Sequence, residues 1–149
     1  MTLRESVRQI LQAEDELQEI VQLVGKDSLT EEQKAVFRTA GIIKEEFLQQ
    51  NSFSKHDYNC PLYKTIGMMK AIVKFYDNCV RLVSSSAQDK GEKKITMGFI
   101  EQTLGGENDV IGKINNMKFV LPSTPEVEVR KFFDDLHAEI DTRFSQLRY

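Results

Sequence analysis

Apolar residues return every three or four positions through most of this chain, and a two-residue alternation is nowhere sustained. That is the period of helices with one buried stripe, not of strands. Leu3, Val7, Ile10, Leu17, Val21 and Val24 form the first seam, spaced alternately four and three, with Glu14 in the one missing slot. Thr2 and Glu5 have capping-box spacing and open this helix, and Gly25 ends it because glycine tolerates positive φ at a helix C-terminus. The run Glu14-Asp15-Glu16 reads as a solvated face, with Glu14 marking where the helix leaves the core. A second capping box, Thr30 to Gln33, opens another helix, expected over residues 31–50, with Val36, Ala40, Ile43 and Phe47 on its buried stripe. Lys26-Asp27-Ser28-Leu29 between them is a short polar connection, so the two helices form an antiparallel hairpin.

Residues 51–60 lack periodicity and read as a loop. Pro61 fits the first turn of a third helix, where its missing N–H costs nothing. There Leu62, Ile66, Met69, Val73, Tyr76, Val80 and Val83 keep the four-three rhythm, and the Met68-Met69 pair reads as core filling. Ser84-Ser85-Ser86 and Gln88-Asp89-Lys90-Gly91 are expected to end it in a loop. Thr96 caps a fourth segment. Gly98, Gly105, Gly106 and Gly112 are costly in a helix interior, so two short pieces are expected, over Met97–Leu104 and 108–119. Val120-Leu121-Pro122 breaks the run. Ser123 or Thr124 caps a last helix with Pro125 in its first turn and Val129, Phe133, Leu136, Ile140, Phe144 and Leu147 inward. The expectation is all-α: a single domain over residues 1–149, a bundle of about five to six helices led by the hairpin.

Charge and candidate chemistry change this picture mainly by exclusion. The 149 residues carry a net charge of −3, which gives no general attraction to nucleic acid. Lys90, Lys93 and Lys94 cluster without interleaved aromatics to stack bases, and read as a solvated loop. The acidic excess sits in the hairpin, where residues 1–50 hold six Lys or Arg against ten Asp or Glu. Cys60 and Cys79 have neither metal nor redox spacing. With one helix between them they stand roughly 28 Å apart, beyond disulfide reach, which suits a reducing compartment. His56 and His137 fall in different elements with no companion ligands, so no metal site is expected. No apolar run approaches a membrane span, and the chain reads as soluble and intracellular. No Gly-x-x-x-x-Gly-Lys-Ser/Thr loop occurs, and neither Gly25-Lys26 nor Gly112-Lys113 is followed by Ser or Thr. Phosphoryl transfer therefore has no site here, and no catalytic residue is assigned.

Gly25-Lys26-Asp27-Ser28-Leu29-Thr30-Glu31-Glu32-Gln33 resembles the acidic helix–turn–helix lever of rotary ATPases, whose usual pattern is Asp-Glu-Leu-Ser-Glu-Glu-Asp. The tracts EIVQLVGKDSL, FLQQNSF and CPLYKTIGMM look like the C-terminal region of the catalytic A subunit of vacuolar-type proton ATPases. The likeness runs through most of the chain, strong over residues 17–77 and weak over 91–109. It implies a helical domain that follows a β-barrel and a nucleotide-binding domain, neither present in these residues. It also implies Mg-ATP and catalysis in the parent enzyme, and none bound or performed by this chain alone. B-type subunits and a central axle would be the partners, with the assembly peripheral on the cytosolic face of vacuolar or endosomal membranes.

By the match of Gln49-Gln50-Asn51-Ser52-Phe53, Phe53 would cover the adenine of bound nucleotide, with His56 and Tyr58 near enough to line that pocket. The lesser reading of Phe53 is a staple packing its loop against the second or third helix, and both can hold. By the lever match, Lys26, Asp27, Ser28, Leu29, Thr30, Glu31 and Glu32 would touch the rotor shaft. Thr30 and Gln33 stand for the usual Ser and Asp, so contact by shape rather than charge is open. Acids at a helix start also favour the positive dipole end whatever else they do. The archaeal-type ATP synthase A subunit shares the lever. A free-standing helical adaptor or assembly factor derived from such a domain is the alternative of another class, and an independent metal or hydrolase site has no ligand cluster behind it.

Overall fold

The computed structural model describes residues 2–45, 62–87, 96–106, 109–117 and 125–146. Among them are six α-helices and no strand: α1 (Leu3–Val24), α2 (Glu31–Ile43), α3 (Leu62–Ala87), α4 (Met97–Leu104), α5 (Val110–Asn116) and α6 (Glu126–Gln146), with a 3-10 turn, Lys26–Ser28, joining α1 to α2. The all-α bundle and its N-terminal hairpin are as the periodicity predicts. The expectations that rest on Phe47, Phe53, His56, Tyr58, Cys60, Pro61, the Lys90 to Lys94 cluster, residues 118–124 and Leu147 lie outside the described residues.

Local chemistry sets the helix ends. Both capping boxes close: Glu5 N donates to Thr2 Oγ1 (3.2 Å) while Thr2 N donates to Glu5 Oε2 (3.1 Å), and Thr30 with Gln33 repeats the exchange at 3.2 and 2.9 Å. Gly25 has φ 85°, which only glycine adopts freely, and turns the chain out of α1. Thr96 caps α4, accepting from Phe99 N at 3.1 Å. Asp109 caps α5 and takes a two-pronged bond from Arg143 of α6, Nε to Oδ1 at 3.0 Å and Nη2 to Oδ2 at 2.7 Å. The guanidinium holds that carboxyl below its usual range against the opposing effect of burial.

Helix α3 is central, packed against α6, α2 and α1. Its fully covered positions are Met68, Ala71, Ile72, Phe75, Cys79, Leu82 and Val83. The predicted seam had the right four-three rhythm, and Val83 is buried as expected, but most of its other described members are out of phase. Met69, Val73, Tyr76 and Val80 only flank the buried stripe, and Ile66 is 44% exposed. The small residues Ala71 and Cys79 are fully buried on this stripe, and a search for large apolar landmarks passes over them. The triple serine does not end this helix either, since it runs on to Ala87. On α6 the predicted Val129, Phe133, Leu136, Ile140 and Phe144 are all buried, and Phe144 meets Phe75 edge-on at 5.9 Å.

Two further readings need correcting. Glu14 is not on a wet face: it is 5% exposed and lies in the core side of α1. Its carboxylate takes Lys44 Nζ at 2.7 and 2.9 Å, and Gln18 Nε2 donates to it as well, so the gap in the seam is filled by a buried charge paired across the hairpin. Val24, placed on the seam, is 61% exposed at the last residue of α1.

Helix α3 meets α6 tightly at Gly67. The Phe133 ring lies over it, and a Cβ there would stand 2.5 Å from the ring. One turn on, buried His137 places Nε2 2.9 Å from the Gly67 carbonyl oxygen, so Nε2 carries the proton and donates. Burial holds this imidazole below its ordinary pKa of 6.5, and Lys70 and Lys74 add to that, while the Gly67 bond and Asp134 oppose it. The unfolded chain then binds more protons than the folded one below about pH 6.5, so stability is complete above that pH and falls as acid is added. The slope attributable to this residue is at most about 1.4 kcal/mol per pH unit. Urea midpoints measured from pH 7.5 to 5 should fall in the wild-type chain and stay flatter in His137→Gln, whose amide can still donate to Gly67. Equal slopes in the two would assign the acid loss elsewhere.

Candidate functional site

The turn between α1 and α2 is tightly built. Ser28 Oγ lies 3.0 Å from the Val24 carbonyl oxygen and 2.8 Å from that of Gly25, placing its hydroxyl on the unsatisfied end of α1. Leu29, at 6% exposure, plugs down onto Leu17 and Val36, with Ala13, Val21, Phe37 and Tyr76 around that small cluster. Thr30 then caps α2. The backbone is therefore held at three successive points: a hydroxyl on the outgoing helix, an apolar plug, and a cap on the incoming one.

The predicted contact residues divide into two groups. Asp27, Ser28 and Thr30 are exposed at the turn. Leu29 is buried and supports it from below. The two carboxylates turn toward the rest of the domain. Glu31 Oε2 accepts from Met97 N at 2.8 Å, its other oxygen pairs with Lys34 at 3.3 Å, and Glu32 Oε1 accepts from the Ser84 hydroxyl. Beneath them the Tyr76 phenol is pushed up by burial, then by Asp77 and Glu32. The acidity visible in the sequence is thus partly engaged in internal bonds.

What the periodicity missed is apolar and outward. Leu23 is 85% exposed, Val24 61% and Ile20 43%, all in the last turns of α1 beside the connection. The signal was available in Ile20-Val21-Gln22-Leu23-Val24, since four apolar residues in five cannot share one helical stripe. Two grooves flank the turn. One of about 400 Å³ is bordered by Leu17, Ile20, Val36, Val80, Glu16 and Glu32, and another of about 450 Å³ by Asp27, Leu29, Phe37, Arg38, Met97 and Glu101. Phe53, His56 and Tyr58 are outside the described residues, so the adenine-covering group is not placed. Among the described residues no three His, Cys, Asp or Glu side chains gather as a metal site, and no helix is long and apolar enough to cross a membrane.

The described residues thus form a helical hairpin, closed by a capped and plugged turn, packed on a long central helix. Residues 1–92 match the family described as the C-terminal domain of V and A type ATP synthase, and the chain belongs to that family. It is 43% identical over 148 residues to isoform 1 of the V-type proton ATPase catalytic A subunit of Acetabularia acetabulum, a match covering 99% of this chain and 24% of that protein. The corresponding catalytic A subunit of Trypanosoma congolense is 44% identical over 147 residues (99% and 23%), and isoform 2 of Drosophila melanogaster 42% over 146 (97% and 23%). The chain spans about a quarter of the length of these relatives, and the similarity extends past the matched family region to the last helix.

Proposed function

We propose that this chain acts as the C-terminal helical domain of a vacuolar-type proton ATPase catalytic A subunit, and that the turn at residues 26–32 bears on the central rotor shaft. ATP hydrolysis would take place on the nucleotide-binding part of such a protein, and this domain would carry the resulting movement without doing chemistry itself. The observation that supports the reading best is the pairing of a stiffly built turn with exposed Ile20, Leu23 and Val24 beside it. Rigid helices transmit displacement about a hinge outside them, and an outward apolar group gains from a partner surface that covers it. Contact would rest more on shape and apolar cover than on carboxylates, since Glu31 and Glu32 already have internal partners. B-type subunits would flank the domain in the assembly, on the cytosolic face of a vacuolar or endosomal membrane. The loop with Phe53, and His56 and Tyr58 nearby, would help close the adenine pocket when Mg-ATP occupies the parent site.

The test is a cysteine at exposed Asp27 in the assembled ATPase. Under mild oxidation Asp27→Cys should cross-link to a cysteine-bearing central axle and stop ATP hydrolysis, and reduction should restore it. Cross-links only to the neighbouring catalytic or B-type subunits would place the turn elsewhere and end the lever reading.

A further inference from the structure

Two side chains of α2 reach α4, one at its first residue and one midway along it. Glu31 Oε2 accepts from Met97 N at 2.8 Å, and seven residues on, Arg38 Nε stands 2.6 Å from Glu101 Oε1. The second is a pair of charges rather than an aligned hydrogen bond. Met97 is the first residue of α4, and a helix's first N–H groups have no partner within the helix. Thr96 satisfies one of them, that of Phe99. Glu31 satisfies another from a different helix, so α4 is capped half by its own sequence and half by the turn. Its neighbour Glu32 binds Ser84 near the end of α3. Adjacent residues on a helix point about 100° apart, which lets the two carboxylates hold two separate elements.

We infer that Glu31 is a positioning residue that locks the α1–α2 turn to the start of α4, so that a displacement of the turn carries α4 with it. The buried apolar face of α4 (Met97, Ile100 and Leu104, each at 3% exposure or less) then passes the movement directly into the core. Two features of the carboxylate matter, its reach and its acceptor oxygen. The negative charge at the start of α2 is a separate, smaller benefit. The meaning of the lock rests on the lever reading, but its existence does not.

Residue-resolved amide hydrogen exchange on the 149-residue chain decides it. In the wild type the Met97 amide should be protected, although it begins a helix. Glu31→Ala should speed its exchange roughly tenfold or more, as expected for losing a bond to a charged acceptor, while Phe99, held by Thr96, changes little. Glu31→Gln keeps an acceptor at the same reach but without the charge, and should fall between wild type and the alanine variant. Glu31→Asp keeps the charge but draws the oxygens back, and should behave like the alanine variant; it also serves if alanine prevents folding. An unprotected Met97 amide in the wild type would overturn the inference, as would protection that survives both Ala and Asp or a uniform rise across α6. Failure of the Asp27 cross-link to the axle would sink the lever reading and leave the lock standing.

Discussion

Replacing Gly67 by alanine should destabilise the domain by roughly 2 kcal/mol, although the same change in an exposed helix interior is stabilising. Two effects compete. Alanine favours the helix by about 1 kcal/mol over glycine, while forcing extra volume into a packed interior typically costs about 1–3 kcal/mol and occasionally more. The geometry decides between them. The new Cβ would stand 2.5, 2.7 and 3.0 Å from three atoms of the Phe133 ring, a stiff surface rather than the movable end of a flexible chain. That ring is 3% exposed, with Phe132 edge-on at 5.1 Å, so it has little room to withdraw. Any separation of α3 from α6 also stretches the His137 bond to the Gly67 carbonyl. Urea denaturation should show the loss in midpoint at unchanged slope, and thermal melting should fall by roughly 4–8 °C.

A double-mutant cycle separates this steric account from a general intolerance of the site. Phe133→Ala alone should cost about 3–5 kcal/mol through the cavity it leaves. With the ring gone, the methyl of Gly67→Ala has space and fills part of that cavity, so the double variant should be no less stable than Phe133→Ala alone. A cost that simply adds would mean that the ring is not what excludes a side chain at position 67.

This contact also marks where the sequence stops being legible. Helix existence, both capping boxes, the positive φ of Gly25 and the inward face of α6 all follow from local chemistry, and local chemistry is what a sequence displays. The inward stripe of α3 does not, because several neighbouring helices cover it and set which of its many apolar residues face inward, the small Ala71 and Cys79 among them. Gly67 reads in the sequence as a propensity cost within a helix; only the ring from residue 133 gives it a reason. The turn followed the same division. Its position and cap were readable from Gly25, Thr30 and Gln33. That Glu31 and Glu32 reach Met97 and Ser84 was not, because no spacing rule links residues more than fifty positions apart. Val24 keeps the spacing of the seam although it faces outward, and Leu23, which does not fit that seam, is passed over by it.

Lys44→Met should destabilise the hairpin at neutral pH and lose that penalty progressively in acid. In the wild type, burial raises the Glu14 pKa, but the Lys44 and Gln18 hydrogen bonds and the Lys44 charge outweigh it, so the carboxyl titrates below its ordinary 4.5. A depressed acid contributes stability that is present above pH 4.5 and is lost as pH falls through the folded value. Removing Lys44 leaves burial, the largest single influence, opposed only by Gln18, so the carboxyl should move above its ordinary value. Its linkage then changes sign, and the variant recovers stability as Glu14 takes up a proton. The neutral-pH penalty should be about 1–3 kcal/mol for a buried charged group left short of its partner. The lower half of that range fits better, because the Lys44 side chain is itself 42% exposed and water already screens part of the pair. Replacing both ends, Glu14→Leu with Lys44→Met, should restore most or all of the loss, since an apolar pair of similar volume needs no compensation for a buried charge. Urea midpoints for the three proteins at pH 7 and pH 4 measure all of this. If Lys44→Met lies as far below wild type at pH 4 as at pH 7, the pair is not what holds Glu14 ionised. A double variant no more stable than the single would show that the ion pair, rather than the burial, keeps α1 and α2 together.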